Sequence, residues 1–219
     1  MKKRFIIAFV LLVLFSTYKI QDSFKLRFNH NIKNISVENN SILNDGTITE
    51  KLSFLYETNL FVLSKKNINS KLSEIDLIES YEIKKIYPDR IKIKIFEKIP
   101  IAILQNKKEK NYYTTNGDVI NFFDSEKFRN LPIVFSNKDN FKKFYQNLEK
   151  INFPFNEIKA CYFFESKRWD LITTSNQTLK LPPKNYNQVL INFLSIRDQN
   201  NFKKYKIFDY RINDQLILK

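Results

Sequence analysis

Apolar and polar positions alternate along much of this chain, and elsewhere apolar residues return every three or four positions. The clearest run lies between Leu77 and Leu104, LIESYEIKKIYPDRIKIKIFEKIPIAIL. Beyond Tyr87-Pro88-Asp89-Arg90, Ile91, Ile93 and Ile95 alternate with Lys92, Lys94 and Phe96, giving a strand one apolar face and one mostly solvated face. Pro88 presets the backbone at a turn's second position and Asp89 tolerates the bend after it, so two strands are predicted to meet there. Upstream, Ile35 and Val37 alternate with Asn34, Ser36 and Glu38 and predict a first strand. Thr47-x-x-Glu50 reads as a capping box, and Ile48, Leu52 and Leu55 supply the apolar stripe of a short helix. Ser64 opens a second short helix carrying Ile68, Leu72 and Ile75. Residues 32–104 therefore predict the order strand, helix, helix, strand, strand.

The second half changes character. Asn111 to Thr114 and Val119 to Phe123 flank Asn116-Gly117-Asp118, a hairpin signal because Asn and Gly accept positive φ. A helix follows, with Phe141, Phe144, Tyr145 and Leu148 on one face behind Ser136-x-x-Asp139. Ile158 to Phe164, Arg168 to Thr173 and Thr178 to Leu181 predict three successive antiparallel strands, turning at Ser166-Lys167 and Ser175-Asn176. A second helix is predicted from Pro183 to Arg197, with Tyr186, Val189, Leu190 and Phe193 in register. Ile207 to Arg211 and Leu216 to Lys219 read as the last strands. Residues 105–219 thus predict a mixed antiparallel sheet domain with two helices, and the fold class is α+β.

The N-terminus follows neither pattern. Lys2-Lys3-Arg4 precede an unbroken apolar run from Phe5 to Phe15, extended less strongly to Ile20. A helix over residues 5–20 spans roughly 24 Å at about 1.5 Å per residue, short against a hydrocarbon core of about 30 Å. Lys2, Lys3, Arg4 and Lys19 relieve that shortfall by snorkelling to the interfaces. Ser16-Thr17-Tyr18-Lys19-Ile20-Gln21 offers no small-residue cleavage site, so an uncleaved single-span signal anchor is expected. Residues 1–4 form a short cytoplasmic tail, residues 5–20 the span and residues 21–31 a polar spacer, with the bulk of the chain outside the cytoplasm.

Composition removes several function classes. Hydrophobic residues at 43% and aromatics at 15% of 219 residues supply ample core. With Gly 2, neither a GxGxxG nor a Walker A phosphate loop occurs. With His 1 and Cys 1, a zinc site within one chain is ruled out, and no cofactor is expected. The net charge of +14 invites a nucleic-acid partner, but lysine is spread over the whole chain among Asn and Ile rather than gathered in a patch. Anionic surroundings such as lipid headgroups suit that distribution better.

Several short strings resemble the FtsQ/DivIB family of bacterial cell-division proteins. Tyr87-Pro88-Asp89-x-Ile91-x-Ile93-x-Ile95-x-Glu97-x-x-Pro100-x-Ala102 is similar to the closing segment of that family's POTRA domain, whose strand and helix order matches the one predicted here. Asn116-Gly117 followed by Leu131-Pro132, the strand Arg168-Trp169-Asp170-Leu171, and Ile207-Phe208-Asp209-Tyr210-Arg211 resemble the family's C-terminal domain, with Tyr210 in place of the usual Leu. The resemblance implies a non-enzymatic septal scaffold in the inner membrane of a diderm bacterium, with its bulk in the periplasm. In this family the last strands receive a β-strand from a small single-span coiled-coil protein, FtsB, which travels with FtsL. Arg211 matches the family's motif arginine and is expected to meet an acidic partner residue. Ile212, Leu216 and Ile217 are expected to add apolar contacts, with Asn213, Asp214 and Gln215 completing the segment.

Other residue types invite chemistry but suit structural roles better. Cys161 sits in an alternating strand and reads as a small buried apolar residue; His30 follows the anchor and reads as exposed. Pairing the two as nucleophile and base requires contact between distant segments. Trp169 reads as packing, and nothing brings Glu97 and Asp118 together as an acid–base pair. Two other functions compete with the scaffold. An outer-membrane assembly factor also uses POTRA units, but no series of roughly 10-residue barrel segments follows here. A cleaved, secreted binding or hydrolytic protein is the other.

Overall fold

Side chains that alternate in sequence line opposite faces of two sheets, and the chain passes from one sheet to the other between Glu97 and Pro100. The computed structural model describes residues 2–17, 31–106, 109–212 and 215–219. The N-terminal apolar run forms α1 (Lys2–Thr17), 16 residues long. Among the described residues no helix is long and apolar enough to cross a membrane. Lys19, Ile20, the spacer up to residue 30 and His30 lie outside the described residues.

The first unit contains β1 (Asn34–Glu38), α2 (Asp45–Lys51), a 3-10 turn (Ser53–Glu57), α3 (Lys65–Leu72), β2 (Ile78–Ile86) and β3 (Arg90–Glu97). Its sheet has the order β1-β3-β2, with β1 parallel to β3 and β2 antiparallel to it. Ile91, Ile93 and Ile95 are fully covered on the helix side by Ile48, Leu52, Leu55, Ile68 and Leu72. Each such side chain contributes about 1.5–3 kcal/mol of burial free energy, so the period-2 stripe holds the helices to the sheet. Ser64 caps α3, its hydroxyl accepting from Lys66 N–H at 3.2 Å. The other expected caps move by a few residues. Asn44, rather than Thr47, caps α2 by accepting from Gly46 N–H at 2.8 Å. An Asx side chain closes on the N–H two residues ahead, so the helix begins before the Thr47-x-x-Glu50 pattern does. Asn137 likewise caps the next helix in place of Ser136, accepting from Asn140 N–H at 2.9 Å. The Tyr87–Pro88 peptide between β2 and β3 is cis.

The second unit contains β4 (Pro100–Asn106), β5 (Glu109–Thr114), β6 (Val119–Asn121), β7 (Ile133–Phe135), α4 (Lys138–Lys150), β8 (Ile158–Phe163), β9 (Trp169–Thr173), β10 (Thr178–Lys180), α5 (Tyr186–Ile196), β11 (Ile207–Asp209) and β12 (Ile217–Leu218). The stretch from Pro100 to Leu104, grouped by sequence with the first unit, pairs here as β4. The nine strands lie in the order β12-β11-β10-β9-β8-β7-β4-β5-β6. The sheet is more mixed than an antiparallel reading allows: β4–β7, β7–β8 and β10–β11 are parallel. The last two of these pairs are joined through α4 and α5, and a helix that crosses back over a sheet returns the next strand in the same direction.

Register puts one apolar row across this sheet. Leu104, Val134, Cys161, Leu171, Leu179, Phe208 and Leu218 stand opposite one another on neighbouring strands and so share a face. Phe141, Phe144 and Leu148 of α4 and Leu190 and Phe193 of α5 pack into the same core. A third apolar cluster joins the two units: Leu77, Ile103, Tyr112, Ile120 and Phe128, with Ile42 and Leu43 packed against it.

Candidate partner-binding edge

The far end of the larger sheet is built by its last three strands. Beyond β11, Tyr210 N–H donates to Lys180 O at 2.9 Å, carrying the parallel pairing with β10 one residue further. β12 then returns antiparallel. Lys206 and Ile207 N–H donate to Lys219 O at 2.7 and 2.9 Å, and Lys219 N–H donates to Ile207 O at 3.1 Å. Ile207 and Lys219 are thus a hydrogen-bonded pair. Bonded and non-bonded pairs alternate in an antiparallel ladder, so the N–H and C=O of Leu218 point away from β11. Among the described residues no strand pairs with that side of β12.

The side chains around this edge are arranged by the same alternation. Leu216 and Leu218 pack towards the helix-side core, while Ile217 is 37% exposed on the opposite face, across from Asp209. Ile212 is 51% exposed, and Arg211 and Gln215 are exposed as well. Asn213 and Asp214 lie outside the described residues. Between α5 and this segment runs an open groove of about 710 Å³, lined among others by Asn185, Gln188, Val189, Tyr210, Ile212 and Leu216. Its floor is fixed. The Tyr210 ring is buried and its hydroxyl donates to Asn192 Oδ1 of α5 at 3.0 Å. Burial lifts Tyr210 to about 12, so the phenol stays a donor at neutral pH.

Arg211 already has an acidic partner in its own chain. Its Nε and Nη2 donate to Asp209 Oδ1 and Oδ2 at 2.8 and 2.6 Å, and its backbone N–H adds a contact to Oδ1 at 3.1 Å. That side-chain hydrogen bonding holds Asp209 below the usual carboxylate range against the opposing effect of burial. On the sheet face away from the helices the charges form a row, Arg168–Asp170–Lys180–Asp209–Arg211. The motif Asp-x-Arg thus locks the chain where it leaves β11. The guanidinium remains partly open at the rim, with 42% of its side chain exposed.

Two family models match the chain. Residues 30–98 match "POTRA domain, FtsQ-type", and residues 102–211 match "Cell division protein FtsQ/DivIB, C-terminal". The chain belongs to the FtsQ/DivIB family of cell-division proteins. Curated relatives agree: it is 25% identical to cell division protein FtsQ of Rickettsia typhi over 82% of this chain and 69% of that protein. It is 23% identical to FtsQ of Rhizobium meliloti over 84% of this chain and 61% of the relative. For FtsQ of Bartonella bacilliformis the figures are 27%, 62% and 45%. The chain therefore spans less than two thirds of the length of the latter two. The major extracytoplasmic domain of the cell division protein DivIB from Geobacillus stearothermophilus superposes on 48% of this chain and 96% of its own, with 9% identity and a TM-score of 0.34. At that distance the likeness carries no argument.

The C-terminal match ends at Arg211, so the open edge of β12 rests on geometry alone. In this family member the remaining candidates have structural surroundings. Cys161 is wholly buried within the apolar row, and burial pushes its thiol far up. Trp169 is stacked on Phe144, ring centroids 4.3 Å apart. Glu97 and Asp118 have separate partners: Asp118 pairs with Lys98 at 3.1 Å, and Glu97 accepts from the backbone of another loop. Among the described residues no group of side chains could hold a metal ion. Neither a role for Asp209 within the Ile207–Arg211 string nor the groove wall contributed by α5 is assigned from the sequence. The Asp-x-Arg spacing contains the signal for the first, because residues i and i+2 of a strand share a face.

Proposed function

We propose that this chain is a non-enzymatic scaffold of the division septum, and that the outer edge of β12 accepts a strand from another division protein. The observation that carries the reading is the unpaired side of β12 beside the α5 groove. Backbone groups there supply the affinity of strand addition, and alternate side chains supply the selectivity. Ile212 and Leu216 line the groove, and Ile217 adds an apolar contact on the other face. The partners suited to this edge are small single-span coiled-coil proteins resembling FtsB and FtsL.

The edge of β2 competes for the same role, since β2 also ends its sheet. Its exposed positions carry Glu79, Ser80, Glu82, Lys84 and Ile86, and the three charges among them discourage strand pairing. Both edges stand beside an open cleft. The one along β2 is lined by Lys65, Asp76, Glu79, Glu82 and Lys98, whereas Ile212 and Leu216 give the β12 groove apolar anchors, which favours β12. In this reading α1, which opens on Lys2, Lys3 and Arg4, is the core of a single-span inner-membrane anchor, and both folded units lie in the periplasm. No cofactor, nucleic acid or small-molecule substrate takes part.

The test is co-purification of the full chain with the organism's small coiled-coil membrane proteins. Wild type is compared with Ile217→Lys and with a deletion of Leu216–Lys219. Retention by wild type and loss by both variants, at unchanged circular dichroism, is the expected result. Retention by both variants moves the interface away from β12.

A further inference from the structure

The end of the first unit where the chain arrives from α1 carries an exposed apolar cap. Ile32 N–H donates to Thr58 O at 3.1 Å, and Asn31 bridges Asn59, so the arriving segment is stitched to the loop between the 3-10 turn and α3. In that loop Leu60 and Leu63 fill the core. Phe61 and Val62, between them, are turned outwards and stand 57% and 78% exposed. The Phe61 ring rests on Tyr87 of the β2–β3 turn, centroids 4.9 Å apart, and Tyr87 is itself 57% exposed. Two segments distant in sequence therefore present one apolar tip, where a solvated loop would carry polar residues.

Basic residues surround the tip. Lys65 and Lys66 occupy the first turn of α3, against the helix dipole, a placement that weakens the helix and suits an anionic surface. Lys33 and Arg90 are largely exposed, and the Lys85 ammonium donates to Leu63 O at 3.2 Å. Asp89, which pairs with Lys33 and Arg90, and the exposed Glu57 oppose them in part. An apolar tip within a basic ring is complementary to the headgroup layer of an anionic bilayer.

We propose that this cap docks on the bilayer surface in which α1 is anchored. Phe61, Val62 and Tyr87 enter the interfacial layer, and Lys33, Lys65, Lys66 and Arg90 lie among anionic headgroups. The inference rests on reading α1 as an anchor. The residues between Thr17 and Asn31 span at most about 50 Å when fully extended, so the tether keeps the cap at high effective concentration near the membrane and a modest patch suffices. Docking also sets orientation. β3 starts beside the cap at Arg90 and runs about 25 Å away from it, so the second unit and its β12 edge are held off the membrane at a defined height.

The experiment uses the full chain in vesicles containing phosphatidylglycerol. An environment-sensitive fluorophore is attached at Val62→Cys or, as control, at Ile99→Cys, which is 58% exposed beyond the far end of β3. Cys161 is buried and escapes labelling. The expected result is blue-shifted emission at position 62, quenched several-fold more by shallow nitroxide lipids than at 99. Phe61→Glu with Tyr87→Glu, or vesicles of pure phosphatidylcholine, reduces the difference. Equal water exposure at 62 and 99 overturns the proposal and leaves the cap to a protein contact. Alkaline carbonate washing separates the two claims. A chain that washes off has no anchor, whereas a chain that resists washing with position 62 fully in water is anchored but undocked.

Discussion

Replacing Trp169 with alanine is expected to destabilise the second unit by about 3–5 kcal/mol, the range for deleting a large buried aromatic. The indole is 4% exposed, lies face to face with Phe144 of α4 and touches the Phe163 ring at 4.9 Å. Its loss removes the ring stacked on Phe144 and opens a cavity under α4, which the apolar row from Leu104 to Leu218 cannot close by moving one strand. Trp169→Phe keeps a ring against Phe144 and is expected to cost less. Urea unfolding of the full chain in detergent micelles, followed by far-ultraviolet circular dichroism, measures both. Tryptophan fluorescence does not serve, because the sequence has Trp 1. An unchanged midpoint for Trp169→Ala contradicts this placement of the core.

Glu97→Ala is expected to cost about 2–3 kcal/mol, because it removes one carboxylate from several donors at once. The carboxylate oxygens accept from the N–H groups of Ser41, Ile42 and Leu43 at 2.9, 3.0 and 2.7 Å, and from Ser41 Oγ at 2.9 Å. Ile42 and Leu43 in turn pack against the cluster joining the two units. Glu97 therefore positions a loop that belongs to the contact between the sheets. Burial alone raises its pKa, but the backbone donors from Leu43, Ser41 and Ile42, with the Ser41 hydroxyl, outweigh it and hold the group below its ordinary value. A carboxyl whose folded-state pKa is depressed stabilises fully above its unfolded value near 4.3, and the contribution is lost as pH falls through the lower folded value. The stability gap between wild type and Glu97→Gln is therefore widest at neutral pH and narrows below about pH 4. A gap that stays constant from pH 7 to pH 3 contradicts the charged role.

Much of this fold is legible in the sequence because its determinants are local. Ile91, Ile93 and Ile95 declare a half-buried strand through their lysine neighbours, and Phe141, Phe144 and Leu148 declare the buried face of α4. What the sequence hides depends on distance along the chain. Glu97 meets a loop more than fifty residues earlier, and no spacing rule links a strand-end carboxylate to three remote N–H groups. The assignment of β4 to the second sheet depends on Ile103 facing Tyr112 and Ile133, which is a matter of register. Local competition explains the shifted helix starts. Asn44 and Asn137 cap by closing on nearby N–H groups, and α5 begins at Tyr186 because Asn185 adopts the left-handed conformation after Pro182 and Pro183. At the candidate edge the sequence pointed to Arg211 and the last strand. The Asp209 partner, the groove wall from α5 and the outward direction of Leu218 emerge only once the strands are laid side by side.

Strand addition on β12 is tested most directly by amide hydrogen exchange, residue by residue, in the full chain with and without its division partner. The amides of Ile207 and Lys219 already donate within the ladder and are expected to change little. The amide of Leu218 faces outward, as does that of Leu216 by the same alternation, and both are expected to become protected when a partner strand binds. If a partner is bound while Leu216 and Leu218 exchange as rapidly as before, the partner is held elsewhere and β12 is not the receiving edge.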